Sequence, residues 1–345
     1  MTAPPATTPR PFQQIDVFTA VPGNGNPLAV VLEGTGLDDA RMQRFAHWTN
    51  LSETTFLLPP TDPAADYRVR IFTPGAELPF AGHPTLGSCH AWLAAGGRPK
   101  SPGRIVQECG VGLVTLRREA VDGVAGPGRL AFAAPPLARS APSPTLLAKV
   151  ARALGLEAHR LVAAQLLDNG PVWLGLLLDG ADTVLALQPD HRALKALGVK
   201  VGVAGLREAR VDADSEMDAH ADAVPTLVRR SNREARAFAG VAGVAATGGT
   251  APGARAADAT AAQRPALEVR AFVAPVGVDE DPVTGSLNAS LAQWLVAEGH
   301  LPARYVAAQG QCLGRDGRVH VARDADGQVW IGGDAVTRID GRVHL

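Results

Sequence analysis

Two stretches of the chain, about two hundred residues apart, carry nearly the same order of apolar and polar positions. The first, residues 69–97, is VRIFTPGAELPFAGHPTLGSCHAWLAAGG, and the second, residues 269–299, is VRAFVAPVGVDEDPVTGSLNASLAQWLVAEG. Each pattern predicts a strand, then a turn rich in Pro and Gly, then a helix. A match through three successive elements is hard to obtain from shared composition, so we predict an internal duplication and two similar half-domains.

Apolar periodicity and turn residues predict further strands and helices along the rest of the chain. The predicted strands are Phe12–Phe18, Leu28–Leu32, a strand entered at Glu53, Tyr67–Thr73, Arg104–Glu108, Gly112–Arg117, Arg129–Ala134, Leu161–Leu167, Val172–Leu178, Arg304–Gln309, Arg318–Ala322, Val329–Ile331 and Ala335–Ile339. The predicted helices are Leu37–Trp48, Thr85–Ala95, Thr145–Leu154 and His191–Leu197. The stretch VPGNGNP at 21–27 predicts a hairpin turn, because the residues that a phosphate loop needs do not follow it.

The Pro-rich stretch Pro135–Pro144 is the predicted linker between a first domain at 1–134 and a second at 135–335. A last strand near 336–345 is a candidate to complete the first domain, and the tail 1–10 is predicted to be disordered. Residues 206–265 are rich in Ala, Gly, Arg and Asp and are predicted to be a surface insertion, since long irregular segments are uncommon within a compact domain.

The two predicted helix starts offer a site for an anion, because free N–H groups and the positive end of the helix dipole meet there. In the second start, Gly285 lets backbone amides approach a ligand closely. Two half-domains that face each other would aim both starts at one cleft, where a small carboxylate could bind. The alternative is that GHPT at 82–85 and TGS at 284–286 only cap their helices.

Glu53 is an unusual carboxylate, because it lies at the mouth of an apolar strand in the sequence NLSETTFLL at 50–58. A partly desolvated Glu has a raised pKa and can exchange protons near neutral pH. A solvated residue at a strand edge is the alternative, although Leu51, Phe56 and Leu57 would be unusual neighbours for it.

Composition narrows the classes of function. The length of 345 residues suits two domains, and a net charge of −1 without a basic run argues against nucleic-acid binding. We expect a cytoplasmic protein, because neither a signal-peptide pattern nor an apolar run of membrane-spanning length is found. Cys89, Cys109 and Cys312 are odd in number and widely spaced, so neither a disulfide framework nor a metal site is predicted.

Four motifs, taken in order, resemble those of the PhzF-like isomerase family of the diaminopimelate epimerase-like superfamily. They are NLSETTF at 50–56, FTPGAELPFAGHPTLG at 72–87, GVDEDPVTGSL at 277–287 and AAQGQCLGRDGRV at 307–319. The similarity covers nearly the whole chain except the tail and residues 206–265. It implies an α+β fold of two duplicated domains, each a β-barrel wrapped around a central α-helix, with the active site between them.

The resemblance also implies roles for individual residues. Glu53 matches the proton-transferring acid/base, while His83 and Asp281 match catalytic groups that hold and polarise the substrate. The implied substrate-binding residues are Gly82, Thr85, Gly285 and Ser286. The resemblance implies a homodimer that needs neither a metal nor an organic cofactor.

Racemases of the superfamily use two cysteines, one at each helix start, whereas this chain has His83 at one start and Gly285 or Ser286 at the other. A two-thiol mechanism therefore lacks its parts. The sequence predicts a cofactor-independent isomerase that moves a proton on a small cyclic or unsaturated carboxylate. An epimerase or dehydratase acting on a small carboxylate, and a non-catalytic carboxylate-binding protein, are the alternatives.

Overall fold

The computed structural model of the chain describes residues 8–119, 128–207 and 264–345. In these ranges the α-helices are α1 (Asp39–Thr49), α2 (Gly82–Ala94), α3 (Pro144–Leu154), α4 (Ala181–Ala186), α5 (His191–Leu197) and α6 (Gly285–Ala297). Short 3-10 helices lie at Ala158–Arg160, Ala274–Val276 and Gln311–Leu313. Most of the predicted tail and insertion, residues 1–7 and 208–263, lies outside the described residues.

The strands of the described ranges form one hydrogen-bonded network. In chain order they are β1 (Pro9–Val17), β2 (Asn26–Val31), β3 (Glu53–Leu58), β4 (Tyr67–Phe72), β5 (Glu77–Leu78), β6 (Arg104–Cys109), β7 (Gly112–Glu119), β8 (Arg129–Ala133), β9 (Ala138–Ser140), β10 (Leu161–Asp168), β11 (Val172–Leu178), β12 (Lys200–Leu206), β13 (Leu267–Phe272), β14 (Glu280–Asp281), β15 (Arg304–Gln309), β16 (Gly317–Arg323), β17 (Val329–Gly333) and β18 (Ala335–His344).

The strands pair in the same order twice. The first half has the order β18-β1-β2-β3-β4-β6-β7-β8, and the second has β9-β10-β11-β12-β13-β15-β16-β17. The directions match as well, because β2–β3 and β4–β6 are parallel, as are β11–β12 and β13–β15. The internal duplication predicted from the sequence is therefore confirmed by the strand pairing.

Helices α2 and α6 are the central helices of the two halves. Both are 13 residues long and buried along most of their circumference, as is typical of a helix that is apolar all round. Strands from both ends of the first half, β18 and β1 at one end and β8 at the other, pack on α2, so the sheet wraps around this helix. β10, β11, β16 and β17 pack on α6 in the same way.

An arginine clamps the turn that precedes each central helix. Arg70 in β4 donates to both carboxylate oxygens of Glu77, at 2.7 and 2.6 Å. Arg270 in β13 donates to those of Glu280, at 2.9 and 2.8 Å. Because a bidentate pair fixes orientation as well as distance, the second clamp determines where Asp281, the residue after Glu280, enters the site.

The two half-sheets are joined by an antiparallel pair between β8 and β17. The last strand, β18, returns to the first half and pairs with β1 from Pro9↔His344 to Val17↔Ala335. The described residues belong to one compact unit. The division into domains at residues 134 and 135 stays a prediction.

Some elements differ from the sequence prediction. β1 begins at Pro9, inside the tail that was predicted to be disordered, because its first residues pair with the end of β18. β9 lies inside the predicted linker, where it pairs with β10. The sequence pattern predicts neither α4 nor β12, and β12 forms between β11 and β13 as a nearly continuous buried strand.

We expect that Asp212–Ala262 can be deleted without loss of the fold. The strands on either side already end together, since Leu206 pairs with Leu267 and the Arg207 N–H donates to the Ala266 carbonyl at 2.9 Å. Residues 208–211 and 263–265 would remain to close a hairpin of ordinary loop length. A circular-dichroism melt should show a cooperative transition within about 5 °C of the parent, and its loss would assign the deleted segment to the core.

Candidate active site

The two central helices begin against each other. A Cβ atom built on Gly82 would lie 2.9 Å from the Cα atom of Gly285, and one built on Gly285 would lie 3.0 Å from the Cα atom of Gly82. Any larger residue would push the two backbones apart, so this close approach requires glycine on both sides. The two helix starts that the sequence predicts are therefore neighbours in the structure.

Neither of these helix starts is capped by a side chain. Asp38, Ser143 and Asp190 accept hydrogen bonds from first-turn N–H groups of α1, α3 and α5. The residues before α2 and α6 make no such bond, and neither does Gly180 before the short helix α4. First-turn N–H groups have no partner within the helix, and the helix dipole attracts an anion to them. This contrast favours the anion-site hypothesis over the alternative that the two motifs only cap their helices.

Glu53 and His83 meet beside the start of α2. Glu53 is the first residue of β3, and His83 is the second residue of α2. The Oε2 atom of Glu53 lies 3.3 Å from the Nε2 atom of His83, and their side chains are 16% and 5% exposed. Neither atom makes a well-formed hydrogen bond to another described residue. Since buried polar atoms are normally hydrogen-bonded, both atoms retain the capacity to bind a ligand.

Asn26 contacts His83, Asp281 and Val283 with the nitrogen of its side-chain amide. Its Nδ2 atom lies 3.2 Å from His83 Nδ1 and donates to Asp281 Oδ1 and to the Val283 carbonyl, each at 2.9 Å. A proton on His83 Nδ1 would point at this amide nitrogen, which cannot accept it, so the contact favours the tautomer with the proton on Nε2. In the neutral ring, Nε2 then carries the proton and presents an N–H group toward Glu53.

Both carboxylate oxygens of Asp281 accept hydrogen bonds. Asn26 donates to Oδ1 at 2.9 Å, and the Thr284 hydroxyl donates to Oδ2 at 2.5 Å. Gln309 orients this arrangement, because its Nε2 atom donates to the Thr284 hydroxyl at 3.0 Å and to the Asp281 carbonyl at 3.1 Å. Hydrogen bonds donated to a carboxylate favour its ionised form.

Burial shifts the pKa values of all three groups. Burial, and after it the negative charge of Asp281, raises the pKa of Glu53 to about 8. Burial raises the pKa of Asp281 to about 6, against the opposing effect of its hydrogen bonds to Thr284 and Asn26. Burial lowers the pKa of His83 to about 3, so the ring is neutral at pH 7. Two close carboxylates resist ionising together, and the charge of Asp281 therefore adds to the effect of burial on the pKa of Glu53.

Ser286 takes the position in α6 that His83 takes in α2. The Trp173 Nε1–H donates to the Ser286 hydroxyl at 3.3 Å, and the Asn169 amide donates to the Ser286 carbonyl at 3.0 Å. Trp173 and Asn169 come from β11 and the turn before it, much as Asn26 comes from β2. Each helix start is thus positioned by an asparagine from the hairpin of its own half.

Thr85 is bound to protein partners rather than directed at the site. Its hydroxyl donates to the Ala81 carbonyl at 2.9 Å and accepts from Gln107 Nε2 at 3.0 Å, and the residue is fully buried. This geometry argues against direct substrate contact by the Thr85 side chain. Its hydroxyl supports the first turn of α2 instead.

Sequence analysis assigned no role to Asn26, Thr284 or Gln309, although the last two lie in motifs that it quoted. Asn26 lies in the stretch predicted only as a hairpin turn, and Gln309 is the last residue of the strand Arg304–Gln309, whose other residues after Arg304 are buried. A polar amide at the end of a buried strand must find hydrogen-bond partners inside the protein, and this was the available signal. Its partners could not be named, because they come from other parts of the chain.

The remaining chemistry of the described residues is limited. Among them, no group of three or more His, Cys, Asp or Glu side chains is arranged to hold a metal ion. Cys89 lies in the core, where burial raises the pKa of its thiol to about 12, while Cys312 is exposed. None of the helices in the described ranges is long and apolar enough to cross a membrane.

We expect Glu53→Gln to stabilise the protein increasingly as the pH rises. The ordinary pKa of Glu53 is 4.5 and its folded value is about 8, so between these values the folded state binds more protons than the unfolded state. The free energy of unfolding of the parent therefore falls as the pH rises through this window. Each unit of pKa shift corresponds to about 1.4 kcal/mol of this free energy. The glutamine variant has no proton to release and so does not lose stability in this way.

Thermal melts at pH 5 and pH 8.5 measure this effect. The variant should match the parent within about 1 °C at pH 5 and exceed it by at least about 3 °C at pH 8.5. The exposed residue Glu33 provides a matched control, since Glu33→Gln makes the same substitution outside the site. If the difference in melting temperature between Glu53→Gln and the parent did not change with pH, the raised pKa of Glu53 would be contradicted.

Comparisons with known proteins find a matching family model and several relatives. The family model described as phenazine biosynthesis-like protein matches residues 15–257 and 249–341. The antisense-enhancing sequence 1 protein of Schizosaccharomyces pombe is 42% identical over 191 residues, which cover 54% of this chain and 64% of that protein. The trans-2,3-dihydro-3-hydroxyanthranilate isomerase of Pseudomonas fluorescens is 37% identical over 183 residues, 52% of this chain and 61% of that enzyme. The chain therefore matches less than two thirds of the length of either relative.

A solved structure shows the same fold over almost the entire chain. The Bacillus anthracis phenazine biosynthesis protein of the PhzF family superposes with a TM-score of 0.70, covering 97% of this chain and 99% of that one at 21% identity. The predicted fold, two duplicated halves each built around a central helix, is confirmed.

Proposed function

The chain belongs to the phenazine biosynthesis-like family, and on that premise we propose that it is an isomerase of a small cyclic or unsaturated carboxylate. The substrate class follows the Pseudomonas fluorescens relative, an isomerase of trans-2,3-dihydro-3-hydroxyanthranilate. Glu53 is the group that transfers the proton. The observation that carries this proposal is the buried Glu53–His83 pair, 3.3 Å apart beside two uncapped helix starts.

The substrate carboxylate would bind where α2 and α6 begin. Gly82 and Gly285 bring the two starts within contact distance, so first-turn N–H groups of both helices can donate to one small anion. The Ser286 hydroxyl lies at the same place, oriented by Trp173. Binding the carboxylate there places the rest of the substrate toward Glu53.

The proposed reaction is a proton transfer between two carbons. Ionised Glu53 accepts a proton from a substrate carbon, and the electrons of the broken C–H bond enter the conjugated system of the substrate. The protonated Glu53 then gives the proton to a different carbon, so atoms and electrons balance without an oxidant or reductant. The N–H groups at the helix starts and at His83 Nε2 stabilise the charge that develops, and one such donor commonly contributes about 3 kcal/mol.

The environment of Glu53 suits both halves of this transfer. A group can accept and return a proton efficiently when its pKa lies near the working pH. Burial and the Asp281 charge bring the pKa of Glu53 to about 8, close to neutrality. A fully solvated glutamate would instead be a weaker base and would stay ionised.

The direct test is incubation with trans-2,3-dihydro-3-hydroxyanthranilate, followed by NMR in H2O and in D2O. In H2O, an isomerase should give a product of the same mass as the substrate. In D2O, the carbon that receives the proton should carry deuterium from the solvent. Exchange at one carbon with inversion would identify an epimerase, and loss of water a dehydratase. Binding without any exchange would identify a carboxylate-binding protein and overturn the proposal of catalysis.

The proposed assembly is a homodimer, following the family expectation, and light scattering of the purified protein tests it. A monomer at micromolar concentration would overturn this part of the proposal. The cytoplasmic location and the independence from cofactors stay predictions of the sequence.

A further inference from the structure

Lys200 in the second half takes the position that Glu53 takes in the first. Glu53 is the first residue of β3, which pairs with β2 on one side and with β4 on the other. Lys200 is the first residue of β12, which lies in the same way between β11 and β13. The registers agree, because the next residue pairs with Phe72 in one half and with Phe272 in the other. The duplication therefore places a lysine in the second half at the position that the glutamate has in the first.

The side chain of Lys200 lies on the face of β12 that points toward α6. Side chains two residues apart share a face of a strand. Thr55, two residues after Glu53, accepts a hydrogen bond from Ser88 of α2 at 2.9 Å. Gly202, two residues after Lys200, is so close to α6 that an added Cβ would lie 2.2 Å from Leu287 Cδ1. Lys200 thus faces the first turn of α6 as Glu53 faces the first turn of α2.

Trp173 connects Lys200 to the helix start. The Lys200 ammonium lies over the Trp173 ring, 5.4 Å from its centroid. The Nε1–H of the same ring donates to the Ser286 hydroxyl at 3.3 Å. Trp173 is 2% exposed, so its orientation is fixed by packing. The cation and the Ser286 hydroxyl therefore contact the same rigid side chain.

The charge of Lys200 lacks an anionic partner. Within the described residues, its ammonium forms neither an ion pair nor a hydrogen bond, and the Trp173 ring is its polar contact. Partial burial lowers the pKa of Lys200, because the ammonium has lost part of its hydration. An anion beside it would replace that hydration with a charge-assisted hydrogen bond.

We propose that Lys200 binds an anionic group of the substrate from the half opposite Glu53 and so restricts the site to carboxylates. This proposal rests on the proposed function, in which the substrate is a carboxylate bound between the helix starts. Lys200 is a binding residue that determines specificity. Glu53 and Lys200, at equivalent positions of the duplicated halves, thereby divide proton transfer and charge recognition between them.

The test compares benzoate with benzamide, two flat ligands of equal size that differ in charge, by isothermal titration calorimetry. Wild-type protein should bind benzoate more tightly than benzamide. Lys200→Met should weaken benzoate binding about tenfold, as expected for one charged hydrogen bond, and leave benzamide within about twofold. Lys200→Arg should keep the preference for benzoate, and the exposed Lys195→Met is the matched control.

Equal binding of the two ligands by the wild type, or an unchanged benzoate preference in Lys200→Met, would overturn the proposal. If Lys200→Met does not fold, Lys200→Gln carries the same comparison. With the isomerase substrate, Lys200→Met should raise KM and leave kcat within about threefold. If the wild type isomerises no carboxylate but shows a Lys200-dependent preference for benzoate, the proposed function fails and the binding role of Lys200 stands.

Discussion

Glu53→Gln is expected to reduce kcat at least about 1000-fold, within the range that a positioned acid/base contributes. Glutamine keeps the shape and the polarity of the side chain, but it cannot take a proton from carbon. The variant should therefore bind substrate within about threefold of the parent and melt no lower than the parent. Turnover and solvent deuterium incorporation, both followed by NMR, should be lost together.

The control for this experiment is Glu33→Gln, which removes an exposed carboxylate from the same half. It should turn over at the parent rate. Turnover of Glu53→Gln within a few-fold of the parent would show that another group transfers the proton. Asp281 would then be the next candidate, since the Asn26 amide contacts both Asp281 and His83.

Asp281→Asn is expected to lower kcat/KM about 100-fold and to move the pH profile. Asp281 accepts from both Asn26 and Thr284, and an asparagine can offer only one oxygen to these two donors. The mismatch displaces Asn26 and with it His83, which costs binding as well as turnover. A hydrogen bond to a charged group contributes about 1.5–3 kcal/mol, so the variant should also melt lower.

The pH profile of kcat/KM distinguishes the loss of the Asp281 charge from a mere displacement of the neighbouring side chains. The negative charge of Asp281 is one of the causes that raise the pKa of Glu53 to about 8, so kcat/KM of the parent should rise with pH up to about 8. Removing that charge lowers the pKa of Glu53, and the rising limb should move to lower pH in Asp281→Asn. Asp279 is exposed and close in sequence, so Asp279→Asn is the control. The rising part of its kcat/KM profile should stay at the pH of the parent. An unmoved limb in Asp281→Asn would show that the two carboxylates do not interact.

Much of the fold could be predicted from the sequence, because the duplication repeats a local pattern. The apolar runs, the turn residues and the glycines at 82 and 285 are visible within each copy, and they predict strand, turn and helix without knowledge of the partner elements. The helix His191–Leu197 and the strand Arg304–Gln309 have the bounds that the sequence predicts. β12 was missed because it follows a helix closely and carries two glycines, and its pairing with β11 and β13 decides its conformation.

The candidate site was predicted only in part. Glu53, His83, Asp281 and Ser286 lie in motifs that the resemblance singles out, but several of their partners, such as Asn26 and Trp173, lie elsewhere in the chain. Asn26 contacts both His83 and Asp281, at separations of 57 and 255 residues. Local pattern contains no information on such contacts, because they depend on which strands become neighbours.

The sequence by itself determined the duplicated strand–turn–helix units, the glycine at each helix start and the acid at the entry of an apolar strand. These features depend on backbone preferences and apolar periodicity, which act over a few residues. The tertiary structure alone decided that the two helix starts touch, that Asn26 lies between His83 and Asp281, and that Lys200 takes the position equivalent to that of Glu53. It also decided the proton affinities, because the pKa of a carboxyl group is set by its burial and by charges that folding brings near it.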